Sequence, residues 1–534
     1  MKPAMSTLLA LGCLGWLSLG ATAPSQAADE SAARPREQLG KVSFSTSCDP
    51  KVQPQFERGV ALLHSFSFQL GRKAFEDILQ ADPSCAIAYW GIGVNRLLNP
   101  FGGQPPEKVL LEGQAAVDRG KAIGAKTQRE RDYLDAIGVL YEPNKTPWRE
   151  RVVAYENAME SLARRYPDDR EAAIFYALAL NIAADPADKT YAKQLKAAAI
   201  LEPLFAARPE HPGVARYLIH SYDYPPIAAK GLPAARRYAS IAPSAAHALH
   251  MPSHIFTRVG AWQDSISTNL RAEAEARRAA GPSEILHPID YQVYAYLQLA
   301  QDGEVKRIVD RVREETRTDD RSAGPFAQAA IPARYALERG DWRMAAQLPA
   351  RQSHYPFTDA ITHFARALGA ARSGDPASAQ KDIDGLASLR DRLAERKDAY
   401  WSGQVEVQRL GALAWTTLAL GKPDAALALM RKAADLEDAS EKSPVTPGPI
   451  APARELLGEM LLELKQPALA LGEFETSAQR EPNRFRGLYG SARAAAQMGD
   501  TAKAKAYYTR LTQLAAKGDP RPELQQAKTY LMRN

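Results

Sequence analysis

The chain has 534 residues, of which 45% are hydrophobic, 24% are charged and 8% are aromatic. These proportions exclude an intrinsically disordered chain, and the length exceeds what a single hydrophobic core requires. The formal net charge of +6 is small for this length, so we expect no nucleic acid among its partners.

Residues 1–27 have the pattern of a secretory signal peptide. Lys2 precedes an apolar run from Leu8 to Leu19, and small residues then lead to Ala27. A basic start, a short apolar run and small residues before the cleavage site are typical of such signals. We therefore expect cleavage after Ala27 and a periplasmic or secreted protein. No other stretch reaches the roughly 20 apolar residues of a membrane-spanning helix, so we expect no span in the mature chain.

Residues 28–44 are expected to form a flexible N-terminus of the mature chain, and the remaining cysteines follow this segment. Once Cys13 leaves with the signal peptide, Cys48 and Cys85 form an even pair. Disulfides persist in oxidising compartments. We therefore predict a bridge between Cys48 and Cys85, with a free buried pair as the alternative.

Small, aromatic and proline residues recur along residues 45–320 with the spacing of helical hairpins. The pattern is clearest further on, between Glu455 and Arg484, where Gly458, Phe474 and Pro482 take the informative positions. These positions are typical of the tetratricopeptide repeat (TPR), a pair of antiparallel helices that spans 34 residues. We use this frame to number positions in the other repeats.

The same frame recurs in the N-terminal half. Gly59, Phe75 and Pro83 occupy matching positions in an early repeat, and Pro209 and Pro243 lie 34 residues apart. Strand signals are nearly absent. The sequence therefore predicts an all-α fold, an α-solenoid of roughly eleven TPR-like helical hairpins.

Histidines are concentrated in one part of this N-terminal array. Five of the nine lie between His211 and His254. On the repeat frame, His220 and His254 take the same position in consecutive repeats, and the spacing of His247, His250 and His254 places them on one stripe of a helix. In TPR proteins these positions line the concave groove, so the similarity implies that the cluster faces that groove. The frame places four further polar residues on this face: His64, Arg216, Asp223 and Arg258.

One interpretation of the cluster is a metal site. Histidines at i and i+4 can bind a single ion, and imidazole suits transition metals such as Zn or Cu. Asp223 or Asp290 would then be a ligand or a hydrogen-bond partner of a ligand. The candidate ligands are His220, His247, His250 and His254.

Two other interpretations remain open. Arg216 and Arg258 provide donors for a carboxylate or a peptide in the groove. Alternatively, the histidines are structural and bond carbonyl groups freed by Pro252, which must interrupt its helix.

The C-terminal half continues the repeat pattern with one break. Turn signals at Gly340-Asp341 and Gly374-Asp375 predict middle TPR-like repeats over residues 321–436. Residues 437–450 are rich in proline and are predicted to be a linker. Residues 451–534 are predicted to be the C-terminal TPR repeats.

The blocks FERGVALLHSFSF, DPSCAIAYWG, HPGVARYLIHSYD and HALHMPSHIF resemble a family of exported bacterial TPR proteins. The resemblance extends over about residues 45–300 and implies a helical-repeat fold without implying an activity. The resulting hypothesis is an exported scaffold that binds a protein or peptide in its histidine-lined groove. A metal-binding protein or a metal-dependent enzyme is the alternative.

Overall fold

A computed structural model describes residues 37–141, 146–279, 281–315 and 321–534, without the side chain of Ala279. The predicted signal peptide, residues 1–27, lies outside the described residues. Within them the chain forms α-helices and two short 3₁₀-helices and no strand, which confirms the predicted all-α class. No helix in the described ranges is both long and apolar enough to cross a membrane.

The helices of the N-terminal half follow in chain order, with 3₁₀-helices at Pro50–Val52 and Ala228–Gly231: α1 (Gln53–His64), α2 (Phe68–Ala81), α3 (Ala88–Arg96), α4 (Glu107–Ile123), α5 (Gln128–Tyr141), α6 (Trp148–Arg165), α7 (Arg170–Ile182), α8 (Ala192–Ala207), α9 (Pro212–Tyr222), α10 (Leu232–Ile241), α11 (Ala246–His250), α12 (Pro252–Arg258), α13 (Trp262–Ala279), α14 (Pro282–Gln298) and α15 (Asp302–Glu314). The remaining helices are α16 (Ala323–Glu338), α17 (Trp342–Ala346), α18 (Pro356–Arg372), α19 (Pro376–Glu395), α20 (Ala399–Ala419), α21 (Pro423–Asp438), α22 (Ala453–Glu463), α23 (Pro467–Arg480), α24 (Phe485–Gln497), α25 (Thr501–Leu514) and α26 (Pro522–Arg533).

These helices stack as a solenoid. Each helix packs against the next one in the chain, and alternate helices such as α1 and α3, α14 and α16, and α18 and α20 also contact each other. This second set of contacts forms an inner layer, as expected where helical hairpins stack side by side. The predicted TPR-like solenoid is thereby confirmed at the level of the fold.

The glycine and aromatic positions of the repeat frame have the packing roles that the sequence predicts. A Cβ atom on Gly59 would lie 2.9 Å from the Phe75 ring, and one on Gly458 would lie 2.8 Å from the Phe474 ring. Both phenylalanines are fully buried. Each ring therefore fills the space that a glycine leaves between adjacent helices.

The N-terminal segment is held against the solenoid where it is described. Phe44 is fully buried and stacks on Trp90 with ring centroids 5.1 Å apart, and the Arg129 guanidinium lies over the Phe44 ring at 4.6 Å from its centroid. The sequence predicted a flexible N-terminus over residues 28–44. Of this segment, residues 38–44 are packed against the solenoid, because the Phe44 ring adds to the core. The predicted Cys48–Cys85 disulfide is present and joins the residues before α1 to the start of the next hairpin.

The segment between α21 and α22, residues 439–452, packs into the interior, and we call it the cover segment. Backbone oxygens of Pro444 and Thr446 accept hydrogen bonds from the Tyr291 hydroxyl at 3.2 and 3.1 Å. Arg334 donates to the Pro449 and Gly448 carbonyls at 2.8 and 3.0 Å. The proline-rich stretch 437–450, expected to be a linker, therefore lies against the inner layer, since its carbonyl groups find buried donors there.

The C-terminal hairpins also contact the middle of the chain. The Trp262 indole donates to the Asn483 carbonyl at 2.8 Å, and Arg521 forms an ion pair with Asp302. These contacts bring α24 to α26 against the turns that flank α13 and α14. Residues 38–534 accordingly form one compact unit.

Candidate functional site

The histidine block lies where the inner layer is interrupted. Pro252 has no amide hydrogen, and α11 ends at His250 while α12 begins at Pro252. The His250 carbonyl accepts a hydrogen bond from Ser253 Oγ at 2.7 Å, and the Leu249 carbonyl accepts one from Thr268 Oγ1. Hydroxyl groups therefore bond these two carbonyls next to the break, and no described hydrogen bond joins a histidine ring to either of them.

His250 and His254 are oriented by hydrogen bonds at their Nδ1 atoms. The Nδ1 atom of His250 lies 2.7 Å from Asn269 Oδ1, and that of His254 lies 2.9 Å from Asp223 Oδ2. Asn269 Nδ2 donates to the Ser265 carbonyl, so its Oδ1 atom is the acceptor. Both Nδ1 atoms must therefore carry the hydrogen, which leaves a lone pair on each Nε2 atom.

These two lone pairs point at each other. The Nε2 atoms of His250 and His254 are 3.1 Å apart, and both side chains are at most 2% exposed. Burial lowers the pKa of both imidazoles, which favours their neutral forms, although Asp223 acts to raise the pKa of His254. Two neutral acceptors at this distance repel unless a cation lies between them. A tetrahedral ion with nitrogen ligands at about 2.0–2.1 Å would hold them about 3.3 Å apart.

His287 on α14 completes a group of three. One ring nitrogen from each of His250, His254 and His287 lies within 4.8 Å of the others. The His287 ring is 4.3 Å from the His250 ring between centroids, and its buried Nδ1 atom has no hydrogen-bond partner among the described residues. Three imidazoles thus converge from α11, α12 and α14, which we call the histidine triad.

Asp223 connects the triad to two cations. It accepts from Arg258 Nε at 2.9 Å, and Lys442 of the cover segment lies 3.4 Å from the same Oδ1 atom. Burial acts to raise the pKa of Asp223, but the charges of Lys442 and Arg258 and the His254 hydrogen bond outweigh it and lower the pKa well below its usual range. Asp223 is therefore ionised and fixes the orientation of His254.

Arg216, His220 and His247 lie beside the triad. The His220 ring is 6.4 Å from the His254 ring, and the His247 ring is 5.6 Å from the His250 ring, between centroids. Arg216 lies over the Phe66 ring at 3.4 Å and is fully buried. The predicted ligands His220 and His247 are thus adjacent to the triad but outside it, and His287 takes the third place.

His64 belongs to a separate buried cluster with complete hydrogen bonding. Its Nε2 atom lies 3.0 Å from Glu171, and His211 Nε2 lies 2.7 Å from the other oxygen of the same carboxylate. The Nδ1 atoms accept from the Tyr217 hydroxyl and from the Val214 amide. No ring nitrogen in this cluster has a free lone pair, so the cluster is structural. The sequence placed His64 on the groove face, but the structure buries it in this cluster.

The predicted groove face is closed in this region. His220 is 8% exposed, Arg258 5% and Arg216 not at all. Lys442 of the cover segment shares the Asp223 carboxylate with Arg258, and the Phe66 and Phe101 rings lie against Arg216 and His220. Asp290, which the sequence offered as a ligand or partner, pairs with Arg334 at 3.0 Å instead. Sequence reasoning did not assign roles to His287, Asn269 or Lys442. Only His287 had a signal, because it follows His254 by about one repeat.

Comparisons with known proteins add no assignment of function. No protein-family model matches the chain, and no curated protein sequence matches it. The human IFIT1 dimer with m7Gppp-AAAA is 12% identical over 89% of this chain and 92% of that chain, with a TM-score of 0.36. The APC/C hetero-tetramer Cut9-Hcn1 is 8% identical over 90% and 95% of the two chains, with a TM-score of 0.29. The assignment of the fold therefore depends on the helix packing described above.

Proposed function

We propose that this protein binds one transition-metal ion through His250, His254 and His287. The supporting observation is the pair of Nε2 lone pairs that face each other at 3.1 Å while both Nδ1 atoms donate to oxygen. A bound cation converts this repulsion into attraction. The sequence-based alternative of a metal-binding protein thus has more support here than a peptide groove along the same face.

Three histidine ligands leave one coordination position of a tetrahedral metal ion free. Three neutral imidazoles suit Zn or Cu, and a tetrahedral ion with three protein ligands keeps its fourth position for water or another small ligand. The Asp223–His254 pair resembles the carboxylate–histidine arrangement that orients ligands in metal proteins. Such a site is compatible with metal carriage and with catalysis. We further propose that it operates in the periplasm or outside the cell, as the predicted signal peptide implies.

Binding of a protein or peptide is the second candidate, and a different surface favours it. A partly open cleft next to the cover segment is lined by Tyr400, by Lys442 and by Phe357 and Trp401, whose rings stack at 4.0 Å. Tyr400 and Trp401 are partly exposed there, and aromatic side chains of this kind suit contact with an extended peptide. A Trp401→Ala variant separates the two candidates, because it should weaken peptide capture and leave the metal content unchanged.

The metal content of untagged protein tests the first proposal. We expect about one Zn or Cu ion per chain in the wild type, since one triad is present, and loss of the ion in His250→Ala/His254→Ala. The exposed His354 supplies the matched control, because His354→Ala removes an imidazole that belongs to no cluster of candidate ligands among the described residues. Wild-type protein that stays metal-free after incubation with Zn and Cu would refute the proposal.

A further inference from the structure

Arg216 is a buried cation without a counter-ion. Its side chain is fully buried, and none of its three guanidinium nitrogens has a hydrogen-bond acceptor among the described residues. Burial lowers the pKa of Arg216 and the neighbouring Tyr238 hydroxyl acts to raise it, but a hydroxyl group is not a counter-ion. Burial of an unpaired charge costs far more than a cation–π contact returns, so a native protein rarely leaves one uncompensated.

The guanidinium edge of Arg216 has no hydrogen-bond acceptor in bonding geometry among the described residues. Phe66 covers a face of the guanidinium at 3.4 Å and accepts no hydrogen bond in the plane of the group. His220 follows at i+4 on α9, so both side chains lie on the same face of the helix. The His220 ring stacks on Phe101 at 4.1 Å, and its buried Nε2 atom also has no partner among the described residues.

Unlike Arg216, the other cations near the triad have an acidic partner. Arg258 and Lys442 share the carboxylate of Asp223. The buried carboxylate of Glu171 is also paired, because His64 and His211 bond its two oxygens. Arg216 therefore has no acidic partner within the described part of the chain.

We infer that Arg216 and His220 bind a small oxyanion, such as a carboxylate or a phosphate group, beside the histidine triad. A guanidinium presents two parallel N–H groups that match two oxygens of such an anion, and His220 Nε2 supplies a third donor. The 6.4 Å between the His220 and His254 rings places the anion next to the proposed metal position. Anion binding at this position needs only these unpartnered donors and no metal ion.

Titration calorimetry with acetate and with inorganic phosphate tests the inference on metal-free wild-type protein. We expect saturable binding of one anion per chain, and the comparison of the two anions shows which geometry the site prefers. In Arg216→Met, binding should weaken about 10- to 100-fold, because hydrogen bonds to a charged group contribute about 1.5–3 kcal/mol. Without an anion, Arg216→Met should unfold at the same temperature as the wild type or higher, since it removes an unpaired charge.

Two further variants keep the test decisive. Arg521→Met removes a buried arginine that is paired with Asp302, and it should lower stability without changing anion affinity. If Arg216→Met does not fold, His220→Leu takes its place and should also weaken binding. No anion binding by the wild type, or an affinity in Arg216→Met or His220→Leu equal to that of the wild type, would overturn the inference. Anion binding that persists in His250→Ala/His254→Ala would show that the anion site exists without the metal.

Discussion

Replacement of Arg334 by leucine should both destabilise the protein and release the cover segment. Arg334 and its partner Asp290 are at most 1% exposed, with Nε and Oδ1 3.0 Å apart. Its remaining donors bond the Gly448 and Pro449 carbonyls and Thr446 Oγ1. Loss of one member of a buried ion pair costs about 3–5 kcal/mol, because the other charge stays buried without a partner. We expect the free energy of unfolding to fall by about this amount in Arg334→Leu.

The double variant Asp290→Leu/Arg334→Leu separates the two effects. It removes both charges, so most of the lost stability should return, since an apolar pair of similar volume is often equivalent to a buried ion pair. The hydrogen bonds to the cover segment remain lost. Urea-induced unfolding measures the stability, and hydrogen exchange of residues 439–452 measures the release of the segment. A loss below about 1 kcal/mol in Arg334→Leu, or unchanged exchange in both variants, would refute this reasoning.

Three further predictions concern stability. Cys48→Ser/Cys85→Ser should lower the free energy of unfolding by about 4 kcal/mol in the chain-entropy model, and a urea midpoint equal to that of the oxidised wild type would contradict the bridge. Burial acts to raise the pKa of Glu171, but its two histidine partners outweigh this and lower the pKa to about 2. The stabilisation by the ionised carboxylate is therefore complete above about pH 4.5 and lost as the pH falls towards 2. In Glu171→Gln, the free energy of unfolding should vary less with pH in that window. A wild-type free energy of unfolding that does not change between these pH values would contradict the prediction. Gly458→Ala should lower the free energy of unfolding by about 1–3 kcal/mol, because its Cβ atom would meet a phenylalanine ring. Gly472→Ala is the control and should be neutral or stabilising, because nothing lies within 4 Å of its Cβ position. Equal melting temperatures for the two variants would contradict the packing described for Gly458.

The local parts of the fold were predictable because short-range rules determine them. Prolines at fixed intervals end helices, and the glycine–phenylalanine pairs of the repeats fix how close the hairpins approach. The break at Pro252 and the disulfide also follow from residue type and spacing. Such features need no knowledge of what lies far away in the chain.

The content of the histidine site could be predicted only in part. The frame placed His250 and His254 on one stripe, and it located Asp223 near them. The third triad member and the burial of the face depend on contacts across long separations, namely α14 against α11 and Lys442 against Asp223. A repeat frame assigns positions to an open groove by analogy, and it has no information about a proline-rich segment that later folds against that face.

Anomalous X-ray scattering at the Zn or Cu absorption edge, from crystals grown with the respective ion, tests the central claim most directly. We expect a single strong peak in each chain, about 2.0–2.1 Å from the Nε2 atoms of His250 and His254 and from one ring nitrogen of His287. The absence of a peak between these rings, or a peak at the His64–Glu171–His211 cluster instead, would contradict the proposed metal site.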